Sequence, residues 1–174
     1  MLQAINLTKI YGKYEALSQL NLSVDKGEIF CLLGQNGAGK TTTINLFLGL
    51  LEPTSGEALV NGVTVKSNDN KTTGMIAYIP EVVQLYGNLS GIENLNFFSR
   101  LAGFKYTNTE LHHFLSKAGL QETAHLKKLS SYSKGMRQKV GIAIALSKNA
   151  DYIFMDEPIS CLLYTSDAAD ECHS

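Results

Sequence analysis

The sequence predicts an α/β fold in which a glycine-rich loop joins a strand to a helix. A glycine-rich run, Gly34 to Thr42, follows the mostly apolar segment Glu28 to Leu33 and opens into a helix-forming stretch. A second apolar run, Asp151 to Met155, is followed by two acidic residues. From Val82 to about Tyr132, apolar residues recur at helical spacing, which predicts a helical subdomain inserted into the α/β core.

The first third of the chain predicts several strands and one helix. Leu2 to Leu7 and Leu20 to Val24 partly alternate apolar and polar residues, and Glu28 to Leu33 reads as a further strand after the turn at Asp25 to Gly27. Lys40 to Leu51 carries apolar residues at helical spacing and stops before a proline. Gly56 to Gly62 then predicts a strand that ends in an Asn-Gly turn.

The rest of the chain predicts short strands around three helices. Met75 to Ile79 and Asp151 to Met155 are the strand candidates, and Lys134 to Ser147 is one of the helices. The other two helices carry the apolar stripes Ile92, Leu95, Phe98, Leu101, Ala102 and Leu111, Phe114, Leu115, Ala118. Aromatic residues on these stripes are interpreted as core, not as ligand contacts. Three histidines lack a carboxylate or cysteine partner at metal-ligand spacing and are interpreted as solvated or packing residues: His112, His113 and His125.

Composition fits one globular domain. The 174 residues are 44% apolar and 18% charged, and the formal net charge of −1 provides no basic field, so no nucleic-acid partner is expected. Cys31, Cys161 and Cys172 form neither a disulfide framework nor a zinc spacing, which favours a reducing cytosol. No apolar run approaches the roughly 20 residues that span a bilayer. A membrane process would therefore need another chain to do the spanning.

The glycine-rich run has the residues that polyphosphate binding requires. Glycines let the backbone turn tightly and bring its N–H groups close to the anion. The ammonium of Lys40 is placed to reach the outer phosphates, the Thr41 hydroxyl to bind magnesium, and the helix N-terminus to face negative charge. The residues predicted to bind nucleotide are Gly34, Gln35, Asn36, Gly37, Ala38, Gly39, Lys40, Thr41 and Thr42.

The acids Asp156 and Glu157 supply a candidate second half of this site. Asp156 is placed to hold the magnesium from the side opposite Thr41, and Glu157 to orient a water for in-line attack on the γ-phosphate. Two acids after a strand also fit a solvated turn. The phosphate loop upstream favours the catalytic interpretation.

Between these motifs lies a stretch, Leu129 to Lys139, that makes the combination resemble the nucleotide-binding domain of an ATP-binding cassette (ABC) transporter. In that family a signature loop of pattern L-S-G-G-Q caps a helix and binds the γ-phosphate of the nucleotide held by a partner domain. The aligned residues are Ser133, Lys134, Gly135 and Met136, with Ser133 and Gly135 kept. The resemblance implies the P-loop NTPase core of ABC type, with an antiparallel β subdomain and the inserted helical subdomain.

Two further positions extend the resemblance. Tyr11 falls where the family places an aromatic residue that stacks on adenine. Glu81 falls where most members have a glutamine that touches magnesium and the attacking water, so it departs from the pattern and is assigned to the metal with Thr41 and Asp156. Together with the stretch Leu85 to Leu95, these features are similar to the ATPase subunits of bacterial ABC-2 type exporters.

The resemblance implies an ATPase that binds ATP with Mg²⁺ and hydrolyses it to ADP and phosphate, with Lys40 and Glu157 as catalytic residues. It implies two partners, a transmembrane permease subunit and a second nucleotide-binding domain that completes a dimer. It also implies a peripheral position at the cytoplasmic face of the membrane. Two alternatives stay open: an ABC ATPase that works on ribosomes or DNA without transport, and a truncated fragment that binds ATP without turnover.

The resemblance covers residues 1–160 and then stops. The family continues with an S-G-L-D loop and a later switch histidine, whereas this chain has Leu163 at the aspartate position. Residues 161–174 resemble instead a translation of the DNA adapter used in transposon-based sequencing libraries.

We therefore expect a C-terminally truncated domain, residues 1–160, followed by a non-native tail. Sequencing the gene past codon 160 from the source DNA tests this expectation. The frame should continue through a coupling aspartate and a switch histidine. Native codons that match the tail would contradict it.

Overall fold

The computed structural model describes residues 1–67 and 71–156 of the chain. These residues form two compact units, one from Met1 to Ile76 and one that begins at Ala77. The acid Glu157 and the whole predicted tail lie outside the described residues. Within the described ranges, no helix has both the length and the apolar character that crossing a bilayer requires.

The first unit is an antiparallel sheet with one helix packed on it. Its elements are β1 (Leu2–Tyr11), β2 (Tyr14–Val24), α1 (Lys40–Phe47), β3 (Ser55–Val60) and β4 (Val63–Thr64). The strand order is β2-β1-β3-β4, with neighbouring strands antiparallel throughout. This sheet confirms the predicted antiparallel β subdomain.

Alternating side chains give the sheet its buried face. Leu2 pairs with Val24 on one side and with Val60 on the other, and all three side chains are buried. Helix α1 adds Leu46 and Phe47, which are 2% and 1% exposed, to this core. The β3–β4 hairpin turns at an Asn-Gly pair with positive φ at both residues, as the sequence predicts.

The predicted strand from Glu28 to Leu33 is absent from both described sheets. Ile29 is 97% exposed and Leu33 is 82% exposed, so this apolar segment does not form the predicted strand. The prediction was wrong for a physical reason. A strand is stabilised by ladder hydrogen bonds and by side chains packed on its faces, and neither sheet in the described ranges offers this segment a ladder.

The second unit has three helices and a two-stranded sheet. Its elements are β5 (Ile76–Ile79), α2 (Gly91–Leu101), α3 (Asn108–Lys117), α4 (Lys134–Ser147) and β6 (Tyr152–Met155). Helix α4 packs against both α2 and α3, and β5 pairs with β6. The helices form where the sequence predicts them, and α4 has the predicted bounds.

The helical core confirms most of the two apolar stripes. It is built around side chains that are at most 8% exposed: Ile92, Leu95, Leu111, Leu115, Leu120, Ala124, Leu129, Tyr132, Val140 and Ala143. The end of the first stripe differs, because Leu101 is 74% exposed and Phe97, beside the stripe, is 42% exposed. The last turn of α2 therefore presents apolar surface outward.

Capping boxes define where α2 and α3 begin. The Ser90 hydroxyl accepts a hydrogen bond from the Glu93 N–H, and the Glu93 carboxylate accepts bonds from the Ser90 N–H and hydroxyl. Thr107 and Glu110 make the same arrangement at α3. In both boxes the hydrogen bonds to the carboxylate, first from the backbone and then from the side chain, lower the pKa of the glutamate.

The histidines divide between packing and solvent. His125 is fully buried, and its Nε2–H donates to the Leu120 carbonyl at 3.1 Å. Its Nδ1 lies 2.7 Å from Nδ1 of His112, and the two rings stack. The packing interpretation is thus confirmed for His125. His113 is exposed, which fits the solvated alternative.

Candidate functional site

The phosphate loop is an exposed turn closed by its own lysine. The Lys40 ammonium donates to the carbonyl oxygens of Gly34 at 2.5 Å and Gln35 at 3.0 Å. The Ala38 N–H bonds back to Gln35, which tightens the turn. Residues 34–38 are exposed and lead directly into the N-terminus of α1. The loop thus offers an ammonium and a helix terminus to an anion, which is the arrangement that phosphate binding needs.

Gly39 is the residue on which the loop geometry depends. It has φ +85°, and a side-chain Cβ at this position would lie 2.5 Å from the Ala16 carbonyl oxygen. The backbone therefore passes β2 too closely for any residue but glycine. The Gly39 carbonyl accepts bonds from both the N–H and the hydroxyl of Thr43, so the cap and first turn of α1 are held together.

The β1–β2 hairpin places two tyrosines at this end of the first unit. Tyr11 ends β1, is 44% exposed, and has the Lys9 ammonium 5.2 Å from its ring centroid. Such an exposed ring fits the predicted stacking role. Tyr14, which pairs with Tyr11 across the hairpin, donates its hydroxyl to the Gly37 carbonyl at 3.1 Å. The hairpin thus contacts the phosphate loop directly.

Asp156 lies at the end of β6 beside a tyrosine. Its N–H donates to the Ile79 carbonyl at 3.0 Å, and its carboxylate accepts from the Tyr78 hydroxyl at 3.3 Å. Burial first, and then the Asp156 charge, raise the pKa of Tyr78. Tyr78 therefore stays a neutral hydrogen-bond donor, which holds the carboxylate in one orientation.

The signature residues lie at the exposed N-terminus of α4. The Ser133 hydroxyl accepts from the Met136 N–H at 3.3 Å and thus caps the helix, as the sequence predicts. Tyr132, just before the cap, is 6% exposed and donates to the Ala124 carbonyl. A Cβ on Gly135 would meet no atom within 4 Å, so the space around it is open. Tyr132 thus fixes the start of α4 to the core, while the surface of the helix cap stays accessible.

Glu81 is engaged with the signature loop. Its Oε1 lies 3.6 Å from the Lys134 ammonium, and the two side chains are 50% and 61% exposed. The predicted magnesium ligands, Thr41, Asp156 and Glu81, are all oxygen donors, which is the donor type that Mg²⁺ prefers. No group of three metal-ligating side chains occurs in the described ranges.

The structure thus places every predicted site residue except Glu157. Lys40 and the loop glycines lie together in the first unit, and Asp156, Glu81 and Ser133 belong to the second.

Sequence reasoning missed two contacts of the site. Tyr14 bonds the phosphate loop, and Gln138, which is 4% exposed, donates to the Pro80 carbonyl at 3.5 Å. A tyrosine in a hairpin tip and a glutamine on an apolar helix face were the available signals, but both occur widely without function.

Comparison with known proteins gives one consistent result. The family model described as "ABC transporter" matches residues 17–160. The probable multidrug ABC transporter ATP-binding protein YbhF of Escherichia coli is 38% identical over 92% of this chain, which spans 28% of that protein. The bacitracin transport ATP-binding protein BcrA of Bacillus licheniformis is 37% identical over 93% of this chain, which spans 52% of it.

Solved structures agree with this fold. The dimeric post-hydrolysis structure of the ATP-binding cassette MJ0796, bound to ADP and Pi, superposes with a TM-score of 0.77 at 26% identity. That match covers 98% of this chain and 84% of the other. An ATP-binding subunit of an ABC transporter matches with a TM-score of 0.75 at 31% identity, over 96% and 73% of the two chains.

Proposed function

The chain belongs to the ABC transporter family, and from this premise we propose that it binds MgATP and hydrolyses it to ADP and phosphate to power export. The observation that carries the proposal is the closed phosphate loop. There Lys40 and the N-terminus of α1 converge on a turn that only glycine permits at Gly39. Both relatives are named as ATP-binding proteins of transporters, and their names specify multidrug and bacitracin transport.

Each site residue has a role that follows from the chemistry of its side chain. Lys40 holds the outer phosphates and neutralises charge that develops on them, and the loop N–H groups bind the remaining oxygens. Thr41, Asp156 and Glu81 are the oxygen donors for Mg²⁺, which when bound screens the phosphate charge. Glu157 orients the attacking water and accepts its proton. Tyr78 keeps the Asp156 carboxylate oriented through its hydroxyl.

We further propose a transmembrane permease and a second copy of this domain as partners, with the chain at the cytoplasmic face of the membrane. Ser133 and Gly135 would bind the nucleotide held by the second copy. An open groove of about 410 Å³ in the second unit supports the permease partner. Tyr86 and Phe97, which stack edge to face at 5.1 Å, lie beside the groove and are 48% and 42% exposed. Exposed clustered aromatics are characteristic of protein interfaces.

Replacing Lys40 with alanine tests the phosphate loop. We expect ATP affinity to fall by about 100-fold or more, equal to about 2.8 kcal/mol, because charge-assisted bonds to phosphate are lost. Titration with a fluorescent ATP analogue measures this loss. Lys66→Ala, at an exposed position in the same unit, is the matched control and should bind like the parent. Equal affinity of Lys40→Ala and the parent would contradict the nucleotide site.

Replacing Glu157 with glutamine tests hydrolysis in the product of the full reading frame amplified from the source DNA. ATP binding should persist, phosphate release should fall by about 100-fold to 10,000-fold because the general base is lost, and an ATP-bound dimer should accumulate. Phosphate release and gel filtration with ATP report the two effects, with Glu122→Gln as control. Hydrolysis at the parental rate would remove Glu157 from the mechanism. ATP binding without phosphate release by the 174-residue chain would favour the binding-only alternative.

Replacing Leu101 with aspartate tests the permease surface. Leu101 lines the groove and is 74% exposed, so the charge should disturb docking without disturbing the core. Recovery of the variant with membranes that contain the permease subunit should fall severalfold. Leu126→Asp, at a site 72% exposed that does not line the groove, is the control. Equal recovery of both variants would exclude the groove as the docking surface.

A further inference from the structure

One face of α4 contacts the segment that carries Glu81. At the start of the helix, the Lys134 ammonium lies 3.6 Å from the Glu81 carboxylate. One turn later, the buried Gln138 side chain donates to the Pro80 carbonyl at 3.5 Å. Positions four residues apart lie on the same helix face, so the two contacts form one row.

Gly141 continues this row and fixes its register. A Cβ at Gly141 would lie 2.9 Å from Cγ2 of Val83, so the helix backbone meets the valine directly. Val83 itself packs against the small cluster formed by Ala77, Ile79 and Ala145. Because the helix and the segment meet at three successive points, the Glu81 backbone is held at a defined position relative to the Ser133 cap.

The charged end of the row joins Glu81 and Lys134, two of the positions at which this chain departs from the family pattern. Glu81 adds a negative charge where the pattern has a neutral glutamine. Lys134 adds a positive charge where the signature pattern has a glycine. The structure brings these two changes into one ion pair, so their charges offset each other locally.

We propose that Lys134 is a positioning residue for Glu81. Its ammonium holds the Glu81 carboxylate in this ion pair and compensates the negative charge that Glu81 brings to the nucleotide site. The inference rests on the proposed function, because Glu81 is assigned to the MgATP site by it. A carboxylate that serves the MgATP site repels the phosphates, and this repulsion weakens as the salt concentration rises. Both side chains are at least half exposed, so the expected effect is modest.

Zero-length cross-linking tests the pair without nucleotide. A water-soluble carbodiimide joins the Lys134 Nζ and the Glu81 carboxyl carbon as an amide, and takes up the released water as its urea. Mass spectrometry of the digested 174-residue chain should find this cross-linked peptide. Lys134→Met and Glu81→Gln should each abolish it, whereas Lys105→Met, at an exposed position between α2 and α3, should not. Absence of the cross-link in the parent chain would overturn the proposal.

A double-mutant cycle on ATP affinity tests the compensation. Lys134→Met should raise the Kd for ATP about threefold to fivefold at low salt, and the effect should shrink at 0.5 M NaCl. Lys134→Arg, which keeps the positive charge, should show a smaller loss of affinity than Lys134→Met. Adding Glu81→Gln to Lys134→Met should remove the salt dependence of that loss, because the uncompensated charge is gone. A loss caused by a direct contact of Lys134 with ATP would keep its salt dependence in the Glu81→Gln background, and that result would overturn the proposal.

The two readouts separate this inference from the proposed function. If the parent binds no ATP but gives the Lys134–Glu81 cross-link, the nucleotide assignment fails and the compensation fails with it, whereas the ion pair stands. If the parent binds ATP and the cycle shows no coupling, the nucleotide assignment stands and the positioning role of Lys134 is wrong.

Discussion

The close passage of the phosphate loop over β2 is the constraint on which the first unit depends. Because Gly39 meets the Ala16 carbonyl with no room for a Cβ, the loop, the first turn of α1 and the sheet occupy one fixed arrangement. The hydroxyl of Tyr14 adds a second link between the hairpin and the loop at Gly37. The anion-binding groups are therefore positioned by backbone packing together with the Lys40 ammonium, which bonds to the Gly34 and Gln35 carbonyls.

In the second unit, α4 is the element that positions the candidate site residues. Its apolar residues pack into the helical core, its cap residue Ser133 belongs to the signature loop, and its Lys134, Gln138 and Gly141 face the segment around Glu81. One helix thus joins a candidate contact for the nucleotide of a second copy to a candidate magnesium ligand. Tyr132 fixes the helix start through its bond to the Ala124 carbonyl. The cap geometry is in this way tied to the core.

Local signals predicted much of this arrangement from sequence. The helix over Lys134–Ser147 and the Asn-Gly hairpin turn were predictable because periodicity, capping and turn chemistry are local properties. The segment Glu28–Leu33 was not, because a strand depends on partners distant in sequence. The stacked pair His112 and His125 was missed for the same reason, since its geometry arises from the folding of α3 onto the segment that follows it. Roles assigned to Lys40, Asp156 and Ser133 rested on motif spacing, whereas their hydrogen-bond partners required coordinates.

The exposed stretch from Ile29 to Leu33 affects how this polypeptide behaves in concentrated solution. It consists of apolar residues of high β propensity, without charge or proline, and it lies outside both described sheets. Exposed apolar segments of high β propensity can pair with the same segment of another molecule. We therefore expect the protein to self-associate through intermolecular strands at high concentration. Low protein concentration and a mild solubilising additive should reduce this self-association.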